Sequence, residues 1–256
     1  MEQAPARALE PHVVEDRLFD GALRLWQPEK GHRAGTDAVL LAAMLPDDVM
    51  EIVDLGAASG VVGLRAAQMN PAARVTLIER EPGLARLAEE NISVNGLPDR
   101  VSVREQDVLR LGGDAALRER FDCVLTNPPY LEAGKFRRSG NDNRERAHML
   151  EAPLADWLRG AVAVLAPKGK LFLIHRAEAI GNILDALGNR CGDVACRFVH
   201  PRADKPAIRV LLSAVKGSRA PLTILPPVIL NGAEGFTPEA ARWHAGTSRL
   251  DMKTGG

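Results

Sequence analysis

The chain has 256 residues, 46 % of them hydrophobic and 26 % charged, with 33 Lys and Arg balanced by 33 Asp and Glu. That length suits one to two domains, and the mix excludes disorder, collagen, coiled coil and a strongly basic nucleic-acid binder as readings of the whole chain. The longest apolar run, residues 38–45, falls far short of the roughly 20 residues a membrane helix needs, and the N-terminus carries charges such as Glu2, Arg7 and Glu10 in place of an apolar signal, so a cytoplasmic location is expected.

In chain order, residues 16–35 hold Leu18, Phe19, Leu23, Leu25 and Trp26 among Gly21, Pro28 and Gly31, a pattern that predicts a β-hairpin. Residues 36–44 read as a short helix with Thr36 as N-cap. Strands are then predicted at 51–55, 74–78, 101–104, 121–125, 170–174, 194–199 and 208–214. Helices are predicted at 60–69, at 82–91 with Pro82 in its first turn, at 153–165 and at 177–187. This alternation argues a parallel α/β sheet with helices on both faces. Only about seven residues, 201–207, join the last two strands. That is too few for a parallel crossover, so the pair is expected as an antiparallel hairpin at one end of the sheet. The glycine-rich stretch from Asn231 onward reads as a mobile tail. Cys123, Cys191 and Cys196 have neither the number nor the spacing for a disulfide framework or zinc site, and Cys123 is expected buried in its strand.

Three acidic or glycine-bearing strand ends carry the first functional signal. Asp54-Leu-Gly-Ala-Ala-Ser-Gly60 joins the first predicted strand of the sheet to its helix, where a glycine turn lets a ligand approach the backbone. A dinucleotide fingerprint would place glycines at 56, 58 and 61; the chain has Gly56, Ala58 and Val61, with its other glycine at 60. Glu79, followed by Arg80, ends the second strand, where an acceptor for ribose hydroxyls is expected. Asp107, followed by Val108, comes after the third, where a carboxylate can accept from an adenine amine. Ligands of open α/β sheets lie outside the carboxyl ends of the strands, where all three elements fall.

The sharpest motif is Thr126-Asn-Pro-Pro-Tyr130, directly after the fourth strand. An exocyclic amine on a base or amide is a poor nucleophile because its lone pair is delocalised. Two acceptors aimed at its hydrogens, the Asn127 side-chain oxygen and the Pro128 carbonyl, localise that pair for attack on a sulfonium methyl. Pro128 and Pro129 stiffen the backbone, and Tyr130 offers a face for a planar substrate. Much of the catalysis is then positioning.

Together, Asp54 to Gly60, Glu79, Asp107 and Asn127-Pro-Pro-Tyr130 resemble the amino-group branch of the S-adenosylmethionine-dependent methyltransferases. The segment from Gln27 to Ala43 and the stretch after the tetrad are similar to the bacterial valine-tRNA adenine-N6 methyltransferase family. The resemblance implies a class I, Rossmann-like α/β fold with a seven-stranded sheet whose last strand is antiparallel, and one methyltransferase domain over 1–256. Within it, 16–50 form an N-terminal hairpin and helix, 51–216 the catalytic core and 217–256 a C-terminal extension. S-adenosylmethionine is the implied donor, with no metal. Gly35, Thr36, Asp54, Gly56, Ala57, Ala58, Gly60, Glu79, Arg80, Asp107, Val108 and Asn127 are expected to bind it. The chain departs from the family at Ala58, where most members have glycine, and at Leu131, where an aromatic residue is common.

Lys135, Arg137, Arg138, Arg144 and Arg146 crowd residues 135–146 against Asp142 and Glu145, which suits phosphate contacts from tRNA or another structured RNA, or else a solvated loop. Tyr130, Phe136 and His148 complete the expected substrate contacts, while His32 either touches the donor or caps a helix. The loop 200–206 and Arg209 extend the basic patch. No separate RNA-binding signature appears. The leading expectation is methylation of adenine N6 in tRNA. The alternatives are N5-methylation of a protein glutamine amide, a non-catalytic nucleoside-binding scaffold and, least supported by the glycine spacing, a nicotinamide oxidoreductase.

Overall fold

A computed structural model describes residues 13–30, 33–129 and 143–253, with 143–153 described by backbone alone. Strands β1 (Val13–Leu18) and β2 (Leu23–Pro28) pair antiparallel as the expected hairpin. Burial alternates along β2, so Leu23, Leu25 and Gln27 face inward. Helix α1 follows at Thr36–Ala43. Its N-cap is Gly35, whose carbonyl accepts from the amides of Ala38 (3.0 Å) and Val39 (3.2 Å). Thr36 is therefore the first helical residue and not the cap expected from its side chain.

The main sheet and its helices then alternate: β3 (Glu51–Leu55), α2 (Val61–Met69), β4 (Arg74–Glu79), α3 (Pro82–Val94), β5 (Val101–Glu105), β6 (Phe121–Thr126), α4 (Asn143–Val164), β7 (Leu165–Arg176), α5 (Ile180–Leu187), β8 (Cys191–His200) and β9 (Arg209–Lys216). All seven expected strands form. Their order across the sheet is β8-β9-β7-β6-β3-β4-β5, with every neighbouring pair parallel except those made by β9, which runs antiparallel to both β7 and β8. Connections leave β3 in one direction toward β4 and β5, and from β6 in the other toward β7. The carboxyl ends of β3 and β6, paired in register at Leu55 and Thr126, are the switch point at which such sheets open a crevice.

Helix α4 starts ten residues before the expected Pro153. The tail is corrected more deeply. After β9 the chain adds two short strands, β10 (Thr223–Ile224) and β11 (Val228–Ile229), both parallel to β8, making nine strands in the sheet among the described residues. Helix α6 (Pro238–Ala245) then packs on α1, and Leu250 and Met252 are buried. The stretch expected to be mobile is tied down because Thr237 accepts from the Ala240 amide (3.2 Å) and Pro238 pre-sets the first turn.

The sheet buries a hydrophobic layer on each face. One layer joins the hairpin, α1, α2, α3 and α6 to the sheet; the other joins α4 and α5 to it. All three cysteines are buried and free. Burial pushes the Cys123 thiol well above its ordinary range, so it is inert at neutral pH. No described helix is long and apolar enough to cross a membrane.

Candidate functional site

Two clefts open at the switch point and share a wall. The first, of about 300 Å³, lies over the turn after β3; the second, of about 490 Å³, lies between α1 and β9. Asn127 and Pro129 line both, as do Arg33 and Ala38.

The turn at the base of the first cleft depends on backbone conformations that side chains disfavour. Gly56 has φ 73° and Gly60 φ 93°, and a Cβ on Gly56 would sit 2.9 Å from the Trp157 ring. Ala58, between them, is also left-handed at φ 49°, although it carries a methyl group. The turn is held from β4: the amides of Gly56 (2.9 Å) and Ala57 (3.0 Å) donate to the Ile78 carbonyl, and that of Ala58 donates to Glu79 Oε2 (2.8 Å). Glu79 Oε1 accepts from the Glu81 amide (2.8 Å), so each carboxylate oxygen keeps a lone pair for a hydroxyl group in the cleft.

Asp54 is 2 % exposed at the end of β3, and its Oδ2 accepts from the Gly63 amide (2.9 Å). Burial raises its pKa to about 7, opposed by that hydrogen bond and reinforced by the nearby Glu79 carboxylate. Near neutrality the cleft floor is therefore less acidic than its two carboxyl groups suggest.

The residue before the tetrad is fixed from below. The Thr126 hydroxyl donates to the Leu55 carbonyl (3.0 Å) and accepts from Trp157 Nε1 (2.9 Å). This buried chain stitches β6 to β3 directly beneath Asn127 and brings the Trp157 ring against Gly56. The roof comes from the hairpin side. Gln27, 1 % exposed, bonds Asp16 with its amide nitrogen and accepts from the Ala34 amide (2.8 Å) with its oxygen, while Arg33 pairs with Asp16. Asn91 fastens the hairpin to the turn: it accepts from the Trp26 amide (2.6 Å) and donates to the carbonyls of Trp26 (2.8 Å) and Ser59 (2.9 Å).

The structure brings Asp54, Gly56, Ala57, Ala58, Glu79, Arg80, Val108 and Asn127 to the first cleft. Gly60 supports the turn from behind, against Leu77 and Leu64. Gly35, Thr36 and Pro128 line the second cleft instead. Asp107 caps the turn of 108–113, its Oδ1 accepting from the Leu109 amide (3.0 Å), and the neighbouring Gln106 takes the place on the cleft wall. Tyr130, Lys135, Phe136, Arg137, Arg138 and His32 lie outside the described residues, as do the side chains of Arg144, Arg146 and His148. Arg209 donates to Asp37 Oδ2 (2.8 Å) across the second cleft. Gln106, Trp157, Gln27 and Asp37 were not singled out as site residues from the sequence. Only Gln27 and Asp37 had a signal there, through their place in the segment before the first strand of the sheet. Among the described residues no three His, Cys, Asp or Glu side chains gather as metal ligands.

The site has relatives. Residues 32–194 match the family described as the methyltransferase small domain. The tRNA1(Val) (adenine(37)-N6)-methyltransferase of Edwardsiella ictaluri is 32 % identical over 184 residues, 70 % of this chain and 72 % of that protein. The like-named protein of Porphyromonas gingivalis is 31 % identical over 157 residues, 59 % of this chain and 61 % of its own. Among solved structures, an Agrobacterium tumefaciens protein described as a predicted O-methyltransferase superposes with a TM-score of 0.71 at 31 % identity, over 85 % of this chain and 100 % of that one. The matched stretch holds β3 to β6 and both clefts' shared wall, so the chain belongs to the methyltransferase small domain family and is an S-adenosylmethionine-dependent methyltransferase.

Proposed function

We propose that the protein methylates the N6 amine of an adenine in tRNA. The observation that carries this reading is the shared wall: Asn127 and Pro129 separate a cleft built on a glycine turn and an acidic strand end from a second cleft wide enough for a planar base. The first cleft suits a nucleoside donor. Its turn allows close approach at Gly56, Glu79 offers acceptor lone pairs to ribose hydroxyls, and Ile78, Val108 and Leu84 supply apolar walls for an adenine ring. S-adenosylmethionine, when bound, supplies an electrophilic sulfonium methyl group.

The chain's own residues act on the acceptor amine. Asn127 Oδ1 and the Pro128 carbonyl accept its two hydrogens and draw its lone pair out of conjugation. The buried Thr126–Trp157 link keeps the start of the tetrad in place, so little reorganisation accompanies reaction. A strong general base is unnecessary, because the nitrogen becomes acidic only after it gains the methyl group. The choice of tRNA adenine is supported by the curated relatives, which carry that substrate in their names, and by Arg33 and Arg209 at the second cleft.

The test is transfer of labelled methyl from S-adenosylmethionine to RNA, protein and DNA from cells lacking this gene, followed by nucleoside analysis. N6-methyladenosine in the tRNA fraction is the expected product, and label confined to protein overturns the reading in favour of a glutamine acceptor. Asn127→Ala is expected to lower turnover by at least about 100-fold, the scale on which a lost positioned hydrogen-bonding group acts, while S-adenosylmethionine binding measured by calorimetry falls far less. An Asn127→Ala protein with wild-type turnover removes the proposed mechanism.

A further inference from the structure

The C-terminal extension places an aromatic platform at the rim of the second cleft. The Phe236 ring stacks on the His244 ring, with centroids 4.3 Å apart and planes 20° from parallel, yet Phe236 remains 48 % exposed. An aromatic side chain that already has one face covered and keeps so much surface in water is ready to take a flat partner on the other.

Two tethers fix it beside the cleft. His244 Nε2 lies 3.4 Å from Thr36 Oγ1, and Thr36 lines the cleft. On the other side, the Thr237 amide donates to the carbonyl of Leu230 (2.9 Å), another lining residue, and Asn231 bridges to Phe236. Asn231 also donates twice to the Pro201 carbonyl, from its backbone amide (3.0 Å) and from Nδ2 (2.9 Å). The loop carrying Arg202 and Lys205 is thereby attached to the same rim. Around the cleft and this loop stand Arg33, Arg202, Lys205 and Arg209, paired with Asp16, Asp204 and Asp37, with exposed Ile208 on the wall between. A flat aromatic face beside arginine and lysine side chains is the chemistry of single-stranded RNA recognition, where bases stack and phosphates are neutralised.

We propose that Phe236, backed by His244, stacks the nucleobase next to the adenine being methylated and so holds the flipped loop over the cleft. The inference rests on the tRNA reading above and deepens it. Both rings lie beyond residues 32–194, the stretch that matches the methyltransferase small domain family.

Steady-state methylation of an unmodified valine tRNA transcript tests this in wild type, Phe236→Ala, Phe236→Leu and Phe236→Tyr. Because Phe236 is half exposed, all four are expected to fold, which thermal melting checks, and to bind S-adenosylmethionine alike. Base–aromatic stacking predicts a roughly tenfold rise in the KM for RNA in the Ala and Leu variants, with kcat unchanged and Tyr restoring the wild-type KM. Replacing the flanking nucleotides by abasic sites, one at a time, should raise the wild-type KM at one position and leave the Ala variant unaffected there. Leu matching wild type would show that Phe236 only packs against His244, and equal KM in all four variants would remove the platform outright. A wild-type protein that binds S-adenosylmethionine but methylates no RNA overturns the tRNA reading, and the platform falls with it.

Discussion

Two residues of the glycine turn carry testable physics of their own. Ala58 sits at φ 49°, a conformation costing an L-residue about 1–2 kcal/mol that glycine adopts freely. Glycine gives back roughly 0.5–1 kcal/mol through the greater freedom of its unfolded chain. Ala58→Gly is therefore expected to raise stability slightly, by about 1 kcal/mol or less, and thermal melting reads the sign. A lower melting temperature would mean that the methyl group's packing outweighs the strain. Asp54 makes the second case. Its folded pKa of about 7 lies above the ordinary 3.8, so the native state holds a proton that the unfolded state releases. By linkage, its contribution to stability falls as pH rises between about 4 and 7 and is level above that. In Asp54→Asn the amide carries no such proton, and its side-chain oxygen still accepts from Gly63. The stability of this variant relative to wild type should thus increase from pH 5 to pH 8 in paired melts, and a constant difference would place the carboxyl group in a more solvated setting than its burial indicates.

At the scale of elements, the N-terminal hairpin is held by Asn91 of α3 and, one helical turn on, by Asn95 at that helix's C-cap. Asn91 serves Trp26, and Asn95 accepts from the Arg24 amide (3.0 Å) and donates to its carbonyl (2.7 Å). Each side-chain amide thus pairs with a β2 residue as a neighbouring strand would. Asn91→Leu leaves the Trp26 amide and the carbonyls of Trp26 and Ser59 without this partner in a dry setting, and a loss of at least about 2 kcal/mol is expected from chemical denaturation. If stability were unchanged, the hairpin would be fastened by its apolar face alone. Such long-range pairings explain what was legible in the sequence. Strands β3 to β9 announced themselves as β-branched runs between helical patterns, and the short 201–207 link required the antiparallel pair. The glycine turn, Glu79 and Asn127 were readable as parts of the first cleft because each is a strand end followed by a local motif. Trp157 was not, since its contact with Thr126 and Gly56 exists only once α4 crosses the sheet. Gln106 rather than Asp107 lines the cleft for a local reason: the Asp107 carboxylate, two residues before the Leu109 amide, turns to cap it through Oδ1. The tail was misread because its glycines outweighed a real start signal, Thr237-Pro238-Glu239, which does open α6.

On the scale of the whole molecule, the extension after β9 completes surfaces that the rest of the chain leaves open. Arg249 donates to the Leu45 carbonyl and to Asn70 Oδ1 (3.1 Å), and the Leu250 amide donates to the Ala43 carbonyl (2.7 Å), so the exposed carbonyl end of α1 is capped from the far end of the sequence. Arg65 Nη2 reaches the Gly246 carbonyl (2.6 Å), joining α2 to the same segment. Strands β10 and β11 cover the free edge of β8, which would otherwise present unpaired backbone groups. Leu225, Val228, Leu230, Leu250 and Met252 are each at least 92 % buried, and full burial of such side chains stabilises by about 1.5–3 kcal/mol apiece. Their gross contribution is comparable with the net stability of a whole domain, about 5–15 kcal/mol. A protein ending at Lys216 keeps every residue of the first cleft, yet is expected to lose cooperative unfolding or to aggregate, as circular dichroism melts and light scattering would show. Retention of the wild-type melting temperature would make the extension a mere appendage to a self-sufficient core, and the α1 cap would then contribute nothing that water cannot.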